Sequence, residues 1–129
     1  PLLDRDDYDF SFSGLKTAVK RFWENNDYPV DVVACEFENA VVDVLTAKTI
    51  RAAKDFEVAS ILLGGGVSAN KPLRARLKKE TAELGVPVFL PDLRLCADNA
   101  STVASAAFYN FEPADFDVIS PNPSLSITE

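Results

Sequence analysis

The sequence predicts an α/β fold, helix-rich with a few mostly parallel strands. Three observations carry that expectation. Residues 31–56 hold a helical apolar spacing with no glycine or proline, and the short apolar run at 58–63 is stopped by Gly64, Gly65 and Gly66. A second apolar run at 86–90 follows after a single helical stretch. Strand, helix and strand joined by short links form a right-handed parallel crossover. With 129 residues, 47% of them hydrophobic, the chain suffices for one core and is short for two.

In chain order, residues 8–13 alternate Tyr8, Phe10 and Phe12 with Asp9, Ser11 and Ser13, the period of a strand with one buried face. From Ser13-Gly14 onward, Leu15, Ala18, Val19, Phe22 and Trp23 recur at helical spacing up to the polar Asn25-Asn26-Asp27. The next helix is expected to start at an Asp31 cap and to bury Val33, Phe37, Ala40, Val44, Ala47 and Ile50, with Val41 and Leu45 widening the stripe. The run at 58–63 reads as a strand covered on both faces. The helix at 70–84 turns Leu73, Leu77 and Leu84 inward, accepts Pro72 in its first turn and ends at Gly85. Residues 86–90 form the second buried strand, and Pro91-Asp92 breaks it. Asp98 begins a last helix whose face of Ala100, Val103, Ala104, Ala107 and Phe108 is built largely from small residues. Residues 1–112 are taken as the folded part and 113–129 as an irregular tail.

Composition excludes several kinds of chemistry. Cys35 and Cys96 form no C-x-x-C pair and sit among apolar neighbours, which predicts buried, reduced thiols. The absence of histidine argues against a zinc site from these residues alone and removes a Ser-His or Cys-His nucleophile pair. A net charge of -7 opposes direct grip on a phosphate backbone. No apolar run approaches the roughly 20 residues of a membrane span, and the first residues lack the parts of a secretion signal, so a cytoplasmic location is expected. The chain starts at Pro1 rather than methionine, as a piece of something longer would.

Two turns beyond strand ends are the candidate sites, since ligands of open parallel sheets collect at the carboxyl edge. At Gly64-Gly65-Gly66-Val67-Ser68-Ala69-Asn70 the glycines allow close backbone approach, and a helix start supplies N–H groups to phosphate, ribose or adenine. A plain strand-to-helix turn explains them equally well, because the pattern matches neither Walker A nor G-x-G-x-x-G. Asn70 suits the reading of a base or ribose edge and is equally a helix cap. Asp98 is either a cap or a hard oxygen ligand for a cation. Ser11, Ser13 and Lys16 are better read as a strand edge, a cap and a solvated lysine than as phosphate contacts, and Arg74, Arg76, Lys78 and Lys79 as a solvated helix face.

Four stretches in order, DFSFSGLKTAV, FENAVVDVLTAKTIRAA, LLGGGVSANKPLRARL and LCADNASTVASAA, closely resemble the carboxy-terminal part of the TsaD family. These are the tRNA N6-adenosine threonylcarbamoyltransferases, formerly described as O-sialoglycoprotein endopeptidases. The resemblance covers nearly the whole chain and points to the bacterial or organellar branch. It implies part of the carboxy-terminal lobe of an actin/Hsp70/sugar-kinase-like, ribonuclease H-like fold. The implied reaction moves threonylcarbamoyl from threonylcarbamoyl-adenylate to N6 of the adenine following the anticodon. Asn70, with Gly64, Gly65, Gly66 and Ser68, corresponds to the adenosine-side loop, and Asp98 to a ligand of a divalent metal, iron or zinc. The family's other metal ligands, an H-x-x-x-H pair, are absent from this chain, so alone it is expected to be inactive. Ala97, Ser101 and Asp92 depart from the usual threonine, alanine and proline and leave Asn70 and Asp98 intact. The implied partners are tRNA, through an intact complex, and proteins of the TsaB and TsaE kinds, with TsaC making the adenylate.

Three other readings compete. A metalloendopeptidase lacks any H-E-x-x-H here, a dead interaction module has no reason to keep both GGGVSAN and Asp98-Asn99, and a sugar or acetate kinase does not fit FSFSGLKTAV. An unpaired strand edge is also expected to drive self-association of this chain, and a monodisperse monomer in concentrated solution scattering would contradict it.

Overall fold

The computed structural model describes residues 2–118, 120–121 and 123–124, and the rest of the expected tail lies outside the described residues. Two compact units divide the chain after Ala97. The first holds α1 (Ser13–Asn25), α2 (Val30–Asp55), β1 (Ile61–Leu62), α3 (Lys71–Leu84) and β2 (Val88–Phe89). The second holds α4 (Ala100–Tyr109) and a short 3-10 turn at Phe116–Val118. The architecture is α/β and helix-rich, as expected. Its two strands pair in parallel with Ile61 opposite Val88 and Leu62 opposite Phe89.

The core lies where α3 crosses α2. Val42, Leu73 and Leu77 are buried together, with Leu45 and Leu63 packed against them. The bounds of α3 follow from local chemistry: the Asn70 side chain caps its start, Pro72 sits in the first turn where no N–H is needed, and Gly85 ends it at φ 76. The inward set needs one change, because Thr81 is buried while Leu84 is only half-buried. Thr81 satisfies its hydroxyl by donating to the Leu77 carbonyl at 2.7 Å.

The strands are shorter than their apolar runs. The N–H of Val58 donates to the Ala53 carbonyl and closes the end of α2, so the run begins by terminating a helix. Nor are both faces covered: Leu63 joins the core, whereas Leu62 and Phe89, paired in register, are exposed.

The strand expected at residues 8–13 does not form. Alternation makes a strand only where the backbone pairs with a neighbouring strand, and the described sheet pairs β1 with β2 and takes up no part of this segment. Side chains of α2 hold this segment instead. Lys48 Nζ donates to Asp7 Oδ1 at 2.8 Å and to the Asp9 carbonyl at 2.7 Å. Arg51 donates to the carbonyls of Arg5 and Asp7, and the Tyr8 hydroxyl donates to Asp55.

These contacts explain a second correction. Ala47, expected inside, is exposed, while Lys48 is only 1% exposed. Helix α2 is gripped on two sides, by α3 and by the amino-terminal segment, so a single apolar stripe does not describe it. It also starts at Val30 with Pro29 before it, leaving Asp31 in the first turn rather than at the cap. Cys96 is buried as expected, but Cys35 is exposed. No residue of α1 is buried, and Ser13 is its first residue rather than its cap.

Among the described residues no helix is long and apolar enough to cross a membrane.

Candidate functional site

Parallel pairing places the segments after Leu62 and after Phe89 at the same edge of the sheet. The first segment is the glycine turn. Gly65 lies at φ 81, ψ 175, a conformation that side chains resist, whereas a Cβ on any of the three glycines would meet open space. Packing within the chain therefore does not explain Gly64 or Gly66. The turn does not run straight into α3, since one 3-10 turn, Gly66–Ala69, stands between them. The free N–H groups of the α3 start are thus displaced from the glycines.

Asn70 follows that turn, and both ends of its amide are engaged. Its Oδ1 accepts from the Leu73 N–H at 2.8 Å, the cap that the sequence allowed. Its Nδ2 donates to Glu38 Oε1 of α2 at 2.7 Å. The two side chains share a cleft of about 670 Å³ between α2 and α3, whose lining includes Asp31, Cys35, Val42, Val67 and Leu73. The volume falls in the range of small-molecule sites. The lining carries two carboxylates, Asp31 and Glu38, and no lysine or arginine. That electrostatic character suits the neutral, hydrogen-bonding part of a ligand and repels phosphate.

Ser68, on the 3-10 turn, is fully buried, and its hydroxyl finds no partner among the described residues. Its carbonyl accepts from Arg74. Arg74 is half-buried rather than part of a solvated face. It also donates to the Pro91 carbonyl and reaches Cys96 Sγ at 3.4 Å. One guanidinium thus ties the loop after β1 to the loop after β2, a use of arginine's rigid fork that lysine cannot match. Arg76, by contrast, pairs at the surface with Glu80 and Asp43, and Lys78 and Lys79 are exposed as expected.

Gly64, Gly65, Gly66, Ser68 and Asn70 come together in the first unit. Asp98 opens the second, where it is exposed and is not the cap of α4. That task falls to Asn99, whose Oδ1 accepts from the Thr102 N–H at 2.9 Å. Among the described residues no group of three or more His, Cys, Asp or Glu side chains could hold a metal. The residues present do not by themselves fit a transition metal, since one exposed carboxylate supplies a single ligand.

Sequence reasoning missed Glu38 and the true place of Arg74. Glu38 lies 32 residues from Asn70 and carries no local signal. Arg74 did carry one: it stands one turn beyond Asn70, and its N–H donates to the Asn70 carbonyl.

The profile of the family described as TsaD, tRNA N6-adenosine threonylcarbamoyltransferase, matches residues 1–105. Similar proteins carry the same description. One from Syntrophomonas wolfei is 45% identical over 129 residues, covering 95% of this chain and 38% of the relative. One from Bacillus subtilis is 46% identical over 116 residues, covering 85% and 34%. One from Thermotoga neapolitana is 41% identical over 130 residues, covering 98% and 40%. The chain therefore spans about two fifths or less of the length of these relatives.

Proposed function

Because the chain belongs to the TsaD family, we propose that it is one wall of the nucleoside pocket of a tRNA N6-adenosine threonylcarbamoyltransferase, within the carboxy-terminal lobe of an actin-like, ribonuclease H-like fold. The observation that carries the reading is Asn70, held by two hydrogen bonds in the lining of the α2–α3 cleft and following the glycine turn in the chain. Gly64 and Gly66 have no steric task inside the chain, so their bare backbone suits close approach by a ligand. The ligand is an adenine nucleotide or threonylcarbamoyl-adenylate. Its nucleoside lies toward Asn70, and its phosphate lies away from the carboxylates of Asp31 and Glu38.

Asp98 contributes one oxygen ligand to an iron or zinc ion whose remaining ligands lie outside this sequence. Freed from capping by Asn99, its carboxylate has no local task in starting α4. No proton-transfer or nucleophilic role is assigned to any residue here. The acceptor tRNA is held elsewhere in an assembly with TsaB- and TsaE-like proteins in the cytoplasm, because a net charge of -7 opposes a direct grip by this chain. The exposed Leu62 and Phe89 support self-association when this chain is alone.

The test separates the two residues in the full-length protein. Asn70→Ala is expected to weaken adenine-nucleotide affinity with metal content retained, and Asp98→Ala to lower metal content with the fold retained. Normal nucleotide and metal binding in both variants would remove the assignment.

A further inference from the structure

We infer that Glu38 is a positioning residue that fixes the Asn70 amide and sets its second N–H to donate to the nucleoside. The ligand atom that meets this N–H is an acceptor, such as a ribose hydroxyl oxygen or an adenine ring nitrogen. This rests on the reading of Asn70 as a nucleoside contact and adds its direction.

An asparagine amide has one acceptor oxygen with two lone pairs and two N–H donors. The oxygen is turned into the first turn of α3, where it takes the Leu73 N–H, and one N–H is spent on Glu38 Oε1. Turning the amide over would set its oxygen 2.7 Å from a carboxylate oxygen and its NH2 against a backbone N–H. Both ends oppose the flip, so the orientation is determined twice. The second amide hydrogen is left as the side chain's remaining donor, beside one lone pair of an oxygen already turned into the first turn of α3. Glu38 belongs to α2 and Asn70 caps α3, and both line the same cleft. Their bond therefore fixes the amide relative to both walls, which is how a supporting residue sharpens a binding group.

The experiment measures AMP affinity by calorimetry and thermal unfolding in parallel, in the full-length protein. Glu38→Ala is expected to weaken AMP binding about tenfold, the size of one ordinary hydrogen bond. Glu38→Gln keeps an acceptor oxygen and is expected to bind like the unsubstituted protein. The double variant Glu38→Ala/Asn70→Ala is expected to bind no more weakly than Asn70→Ala alone, because the first residue acts through the second.

A swap gives the sharper readout. Asn70→Asp keeps the cap and sets two carboxylates against each other, which lowers the unfolding temperature. Adding Glu38→Gln restores the bond with donor and acceptor exchanged, so thermal stability recovers while AMP affinity stays low. Unchanged AMP binding in Glu38→Ala, or recovery of affinity in the swapped pair, overturns the inference and leaves the nucleoside reading standing. Unchanged AMP binding in Asn70→Ala overturns both.

Discussion

The two halves of α2 share one helical spacing and have opposite fates. From Val42 onward Val42, Val44, Thr46, Lys48, Ile50 and Ala53 are buried, whereas before Val42 no residue of α2 is, and Val30 is 65% exposed. Apolar side chains continue along the first half and onto α1, where Val19, Trp23, Val33 and Phe37 line an open groove. Periodicity therefore reports where a helix has an apolar side, and burial depends on whether α3 or the amino-terminal segment lies against it. Some features of this sequence are explained by contacts within the chain, and others have no account there. The second kind is what a relative more than twice as long gives reason to expect.

The largest effect separates the two halves. Leu77→Ala empties a site that is 2% exposed at the α2–α3 crossing, and it is expected to cost about 2–5 kcal/mol in a denaturant titration. Val30→Ala removes an exposed side chain and is expected to stay within about 0.5 kcal/mol. Equal costs would show that the first half of α2 is packed in solution and would break the contrast.

A second effect tests the grip on the amino-terminal segment through acid. The hydrogen bond from Lys48, partly opposed by desolvation, holds the Asp7 carboxyl below its ordinary 3.8, with Arg5 adding to the lowering. A carboxylate whose pKa is depressed on folding adds stability that is fully present above the unfolded value. That stability is lost as pH falls through the lower, folded value. Thermal unfolding followed from pH 7 downward should therefore lose stability below about pH 4 from this source. In Lys48→Met the Asp7 part of that acid loss should shrink, and an unchanged acid profile would mean that the pair does not hold the segment.

The bounds of helix α3 were legible because their signals are local: Asn70, Pro72 and Gly85 each act on backbone within a few residues. The parallel pairing was legible from two apolar runs and the helix between them. What escaped depends on distant partners. Residues 8–13 have the alternation of a strand, but Lys48, some 40 residues away, engages the segment's backbone in place of a neighbouring strand. A lysine in a helical stripe reads as solvated until Asp7 and the Asp9 carbonyl are found around it. Asn70 was identified from its turn, yet its orientation comes from Glu38 on another helix, and Asp98 yields its capping role to the next residue, Asn99. Local chemistry located the candidate residues, and only the folded chain shows what each is committed to.

The smallest effect on stability is the most informative about the site. Gly65 lies in a conformation nearly exclusive to glycine, so Gly65→Ala is expected to cost about 1–3 kcal/mol. Gly64 and Gly66 have ordinary φ values and open space around a Cβ, so alanine there is expected to change stability by less than about 0.5 kcal/mol. If those two glycines are bare for internal reasons, adenine-nucleotide affinity in the full-length protein will be as indifferent to them as stability is. If they are bare because a ligand lies against the backbone, the added methyl groups will weaken AMP binding while the unfolding temperature stays put. Stability measured beside affinity thus separates a turn that serves only its own chain from one that serves a pocket.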